Sequence, residues 1–201
     1  ADDFDADKYQ FVGPSIGDRG EAAFDFSKMS DPIIYVSLGT LLNTSVKFSK
    51  TCIEAFKHQP VSVIMSIGKT IKVEQLGALP DNVFVYPYVP QLEILQKASL
   101  FITHGGMNSV NESLYYGCPM LVIPMGNDQP RVAQQVVDLH LGKMVAHKGL
   151  TAKQLRDSAY SVLQDVSYQK KLEEFQNLSQ SAGGNQAIAQ MILKSLDNQP
   201  K

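Results

Sequence analysis

Between positions 101 and 130 the chain reads FITHGGMNSVNESLYYGCPMLVIPMGNDQP, which sets His104, Gly105, Gly106, Asn108, Ser109 and Glu112 close together. Residues of these types at this spacing could cradle a phosphorylated ligand. Gly106 lets backbone approach a ligand, and the amides of Met107, Asn108 and Ser109 open a helix whose positive end favours an anion. Glu112 lies four residues past Asn108 and three past Ser109, so the three project from one helix face. A carboxylate there is a poor phosphate partner but a good acceptor for two sugar hydroxyls. A nucleotide meets both demands, with its diphosphate over the helix start and its ribose one turn further in. Plainer readings stand beside this one: His104 as a hydrogen-bonded core histidine, Asn108 and Ser109 as helix caps.

Three other stretches carry polar or flat groups that could join such a site. SLGT (37–40) closes a strand with Gly39 and Thr40, the latter also readable as a mere turn residue. YPYVPQLEIL (86–95) offers Tyr88 as a flat ring and Val89 as a backbone edge beside Pro90, which together suit a base. GNDQP (126–130) supplies Asp128 and Gln129, a pair able to accept from and donate to sugar hydroxyls, although Asp128 could equally be an N-cap and Tyr88 an edge-strand aromatic. The glycines do not follow GxGxxG and no GxxxxGK[ST] occurs, which weighs against NAD and ATP. His58, His140 and His147 are scattered, show no metal-ligand spacing and read as surface residues.

The elements that must position these groups read as alternating strands and helices. PIIYVSLGT is a β-branched run followed by SVKFSKTCIEAFKH at helical spacing. The pattern recurs through VSVIMSIG (61–68), NVFVYPYV (82–89), LFITHGG (100–106), MLVIP (120–124) and GKMVAH (142–147). Runs apolar throughout indicate strands buried on both faces, so the expected fold class is α/β, a Rossmann-like, doubly wound, parallel six-stranded sheet. In the order 3-2-1-4-5-6 the first and fourth strands are neighbours at the reversal of winding, and ligands bind outside their carboxyl ends. That places Gly39, Thr40, His104 and Gly105 at one crevice. From Thr151 onward the strands stop and three helices are expected, at roughly 151–165, 168–181 and 185–197.

Composition narrows the function classes. The chain has 201 residues, 44% of them hydrophobic, enough for one full core. A net charge of -2 without a Lys/Arg cluster argues against a nucleic-acid footprint, so a bound phosphate must be held by local geometry. No apolar run approaches the ~20 residues of a membrane helix and no leader resembles a signal peptide. Cys52 and Cys118 sit in apolar contexts without a CxxC pair and read as reduced core residues of a cytoplasmic protein. The opening ADDFDADKYQFVGPS lacks an initiating Met and is acidic, then Pro/Gly-punctuated. We read residues 1–30 as a linker or entry segment and residues 31–201 as a nucleotide-sugar-binding domain, an excised part of something longer.

These strings, with FVGPS, YVSLGT, VIMSIGKT, VPQLEIL, THGGMNSVNESLYYGCPMLVIP and NDQ spread over nearly the whole chain, resemble the C-terminal, donor-binding half of UDP-dependent glycosyltransferases of the two-domain GT-B fold, especially bacterial macrolide and flavonoid glucosyltransferases. The resemblance implies that the Val89 backbone and Gln91 meet uracil, with Tyr88 stacked on it in place of the usual Trp. It implies that Glu112 holds the ribose. His104, Gly106, Asn108 and Ser109, with Thr40, would hold the diphosphate, Gly39 and Gly105 join the donor site through their place at the same crevice, and Asp128 and Gln129 would meet the transferred sugar, glucose by preference.

The UDP-sugar is then a co-substrate, with neither cofactor nor metal expected. The family's acceptor pocket and its catalytic histidine lie in an N-terminal domain, so no catalytic residue is assigned here and a small-molecule acceptor would be met through that missing domain. Two alternatives remain open at this point: a non-catalytic UDP-sugar-binding subunit that works with a separate partner chain, and a UDP-GlcNAc epimerase of similar fold.

Overall fold

The computed structural model describes residues 4–5, 8–17, 19–39 and 45–197. Six parallel strands form one sheet: β1 (Ile33–Ser37), β2 (Ser62–Ser66), β3 (Val83–Tyr86), β4 (Leu100–Thr103), β5 (Met120–Val122) and β6 (Gly142–Met144). Their order is β3-β2-β1-β4-β5-β6, so β1 and β4 are hydrogen-bonded neighbours, with Val36 opposite Ile102 and Ser37 opposite Thr103. The doubly wound α/β sheet expected from the apolar strands is therefore present, with the reversal at the expected pair.

Seven α-helices accompany the sheet among the described residues: α1 (Val46–Phe56), α2 (Gln91–Lys97), α3 (Met107–Tyr115), α4 (Gln129–Asp138), α5 (Ala152–Leu163), α6 (Val166–Ser181) and α7 (Gly184–Asp197). The pleat sends Ile34 and Val36 of β1 to one face and Ile33 and Tyr35 to the other. On the first face α1 and α5 cover the sheet through Phe48, Cys52, Phe56, Leu155 and Ala159. On the second, α2, α3, α4 and α6 do so through Ile94, Leu95, Val110, Val132, Ala133 and Leu172. Cys52 and Cys118 thus belong to opposite layers, both free and buried, and burial pushes the Cys118 thiol up to about 12.

One connection departs from the strand-helix alternation. Between β2 and β3 the chain makes only a 3₁₀ turn, Val73–Leu76. Gly68, Gly77 and Pro80 punctuate the segment, while Thr70, Ile71 and Val73 are β-branched, so a continuous α-helix has no run in which to form. The helices after β6 start on local caps. Thr151 and Gln154 form a capping box on α5, and Asp165 accepts from the Ser167 amide at 2.9 Å at the start of α6.

The entry segment lies against the domain. Phe24, Phe26 and Met29 pack on the second-face core, and the Phe24 amide donates to Glu93 at 2.9 Å. Further upstream the Val12 carbonyl accepts from the Gly184 amide at 2.7 Å.

Candidate functional site

The carboxyl ends of β1, β2 and β4 open on one crevice of about 780 Å³. Around it the fold gathers Gly39, Tyr88, Val89, Gln91, His104, Gly106, Asn108, Ser109, Asp128 and Gln129, ten of the residues singled out in the sequence. Thr40 lies outside the described residues. Gly105 and Glu112 do not border the crevice. Gly105 instead turns the chain at φ +84° with its Cα against Val122, where a Cβ would come within 2.7 Å of a methyl group, so its place is in the packing behind the site.

His104 is held between two glycines. A Cβ on Gly39 would stand 2.7 Å from the imidazole Cε1, and a Cβ on Gly106 would stand 2.6 Å from Nε2. Both positions therefore need the missing side chain, and Gly39 also needs its φ of +75°. Burial holds the His104 pKa below the ordinary histidine value, against an opposing pull from the Asp128 carboxylate, so the ring is neutral at neutral pH. Its Nδ1 is buried without a partner. An unpaired lone pair costs less there than an unpaired N–H, which favours the tautomer with the proton on Nε2.

Beside this ring α3 begins at Gly106, an N-cap that has no side chain to offer and that leads into a first turn without acidic residues. Asn108 and Ser109 sit inside that first turn instead of capping it. Among the described residues the amides of Met107, Asn108 and Ser109 consequently have no capping side chain, the condition under which a helix start takes an anion. Asp128, the N-cap of α4, makes no side-chain cap hydrogen bond, so its exposed carboxylate is available at the crevice. Gln129 differs: its Oε1 accepts from the amides of Met125 (2.8 Å) and Gly126 (3.2 Å), shaping the loop after β5 and leaving only its Nε2 to donate outward.

The other end of the crevice is built by long-range contacts. Val89 buries its side chain in the core, so its backbone is what borders the crevice. Gln91, in the first turn of α2, accepts from the Tyr35 hydroxyl at 3.0 Å and donates to Glu112 Oε2 at 2.5 Å. Burial raises the Tyr35 phenol above its ordinary pKa, which keeps it a donor. Glu112 gives its other oxygen to the Arg19 guanidinium, and Tyr88, its ring largely exposed, donates its hydroxyl to Glu21. Arg19, Ser37, Ser66, Gly68 and Lys69 also line the crevice and were not expected from the sequence. SIGKT closes β2 at the same edge as SLGT and THGG, which was a readable signal for Gly68 and Lys69. Arg19 had none, because it comes from the entry segment.

Residues 18–181 match the protein family described as UDP-glucoronosyl and UDP-glucosyl transferase. The uncharacterized UDP-glucosyltransferase YojK of Bacillus subtilis (strain 168) is 42% identical over 192 residues, 94% of this chain and 47% of that protein. Among solved structures, the glycotransferase of kitacinnamycin superposes with a TM-score of 0.87 at 33% identity, covering 96% of this chain and 50% of that one. CalG4, the calicheamicin glycosyltransferase, does so with a TM-score of 0.90 at 26% identity, covering 98% and 50%. The chain spans about half the length of the curated relatives it matches.

Proposed function

The chain belongs to the UDP-glucoronosyl and UDP-glucosyl transferase family, and from that premise we propose that it is the donor-binding half of an inverting enzyme that carries a sugar, glucose by preference, from a UDP-sugar to a hydroxyl of a small-molecule acceptor. The observation that carries this reading is the glycine-walled, neutral His104 beside the uncapped start of α3, at the carboxyl end of the β1–β4 pair. Uracil would lie along Tyr88 and the Val89 backbone, ribose at Glu112, the diphosphate between His104 and the amides of residues 107–109, and the sugar toward Asp128 and Gln129.

In the reaction the acceptor oxygen attacks the anomeric carbon from the face opposite UDP, the bond from that carbon to the β-phosphate oxygen breaks, and its electron pair stays on the phosphate. The acceptor proton passes to a base supplied from outside these 201 residues. Negative charge therefore grows at the β-phosphate, and the His104 Nε2–H and the α3 amides are the donors that would meet it. Preorganised donors of this kind are worth about 3 kcal/mol each. Such a set of donors can carry the leaving-group charge without a metal.

Calorimetry with UDP and a product assay with UDP-glucose and hydroxyl acceptors test the proposal. The expected result is binding of UDP by this chain, no transfer by it alone, and transfer once it is joined to an acceptor-binding half. Failure to bind UDP overturns the donor assignment, and turnover by these residues alone overturns the division of labour.

A further inference from the structure

Two side chains assigned to the nucleoside, Glu112 and Tyr88, are each held by a charged residue of the entry segment. Arg19 pairs with the Glu112 carboxylate, and Glu21 accepts the Tyr88 hydroxyl. The segment is fastened on both sides of these contacts. Upstream, the Val12 carbonyl takes the Gly184 amide at 2.7 Å and Ser15 donates to the Asn185 side chain. Downstream, the Phe24 amide reaches Glu93 at 2.9 Å, and the Phe24 ring meets Phe26 and Tyr86 edge-on at 4.9 and 5.4 Å. Between these fastenings Arg19 and Glu21 reach the nucleoside end of the crevice.

The Arg19 side chain is 44% exposed and the Glu112 side chain 6%, so the arginine is the group that lies between the carboxylate and solvent. Glu112 is absent from the crevice wall while Arg19 is part of it. A buried carboxylate needs a compensating partner, and Arg19 is that partner together with Gln91. Arg19 thus stands on the crevice side of the Glu112 carboxylate. We infer that the described residues on either side of Arg19, Ile16 and Gly17 before it and Gly20 and Glu21 after it, form a strap that a ribonucleoside must displace, with Arg19 standing in for the ribose hydroxyls on Glu112 and Glu21 holding the Tyr88 platform until the base arrives. This rests on the donor-site reading and adds to it a residue that sets the affinity for the ribose diol. A ligand that engages Glu112 works against the strap contact, and one without the diol does not, which makes the cost of opening selective.

Two measurements on the full chain separate the possibilities. In limited trypsin digestion, saturating UDP is expected to speed cleavage after Arg19, because the freed guanidinium can enter the protease, while cleavage after the remote, exposed Lys148 keeps its rate. In calorimetry, Arg19→Gln is expected to tighten uridine by about threefold to tenfold, the range of a partly exposed ion pair that no longer competes, and to leave 2′,3′-dideoxyuridine unchanged. Equal changes for both nucleosides would mean that Arg19 acts only through the fold, and weaker uridine binding would mean that it stays on the ligand. Either result overturns the strap. Binding of UDP with unchanged cleavage overturns the strap while the donor site stands, whereas no binding of uridine or UDP to the unaltered protein removes both.

Discussion

The two ends of the crevice are made in different ways. At the β4–α3 end the groups come from one continuous stretch, lean on backbone amides and glycines, and stand open to a ligand. At the nucleoside end, Tyr35, Gln91, Glu112 and Arg19 come from four separate parts of the chain, and their polar atoms are already satisfied by one another. On the proposed reading, an open anion cradle and a self-occupied nucleoside wall make opposite demands. The first would bind without rearrangement, and the second would exchange internal partners for external ones. Changes at the first end should therefore act on diphosphates alone, and changes at the second on anything that carries the ribose.

The largest effect is expected from Gly106→Ala. The new Cβ would fall 2.6 Å from His104 Nε2, so the ring must leave its position, and no left-handed backbone strain is involved because Gly106 has φ -64°. UDP affinity should fall by about 2–3 kcal/mol, the worth of a charge-assisted hydrogen bond, while uridine affinity holds. Folding stability should fall by about 1 kcal/mol, since alanine is a poorer N-cap than glycine. Calorimetry with both ligands checks it, and equal losses for UDP and uridine would erase the distinction between the two ends.

Next in size is Glu112→Ala, which should weaken UDP by about 1–3 kcal/mol and 2′,3′-dideoxy-UDP much less, since the lost bonds go to hydroxyls the analogue lacks. A uniform loss would return Glu112 to a purely structural place between Gln91 and Arg19.

How far each end could be read from sequence follows from the same contrast. The order of the strands, the reversal at β1–β4 and the gathering of His104, Gly106, Asn108 and Ser109 were legible because strand patterning and the carboxyl-edge rule act on contiguous stretches. The pinning of His104 by Gly39 was only half visible, as two loops at one edge. Arg19 on Glu112 was invisible: the partners are 93 positions apart, and nothing local in GDRG marks a residue that will cross the domain. The commitment of Gln129 Oε1 to the Met125 and Gly126 amides was hidden for a different reason, since a loop's own hydrogen bonding depends on a backbone path that residue types leave open.

A smaller effect belongs to Asp128→Ala, which tests the sugar side of the cradle. The carboxylate caps no helix, so its removal should leave the fold and UDP affinity nearly unchanged and cost UDP-glucose about 1 kcal/mol, one hydrogen bond to a hydroxyl. Competition between UDP and UDP-glucose reads the difference directly, and equal losses would move Asp128 off the sugar.

The smallest effect, and the one that bears most directly on the open cradle, is the pH response of His104. Burial lowers its folded pKa below the unfolded value, so between those two values the unfolded chain binds a proton that the folded chain refuses. Its contribution to stability is thus fully present above about pH 6.5 and is lost as pH falls from there through the folded value. Thermal melting from pH 7.5 to 5 should show this decline in the unliganded protein, and His104→Gln should lack that portion of it. A diphosphate beside the ring favours the imidazolium and so raises the folded pKa, which means saturating UDP should remove the same portion of the decline while leaving the contributions of carboxylates elsewhere in place. If UDP shifts the melting curves of the native protein and of His104→Gln identically at every pH, the imidazole does not face the diphosphate, and the open end of the crevice owes its anion preference to the α3 amides alone.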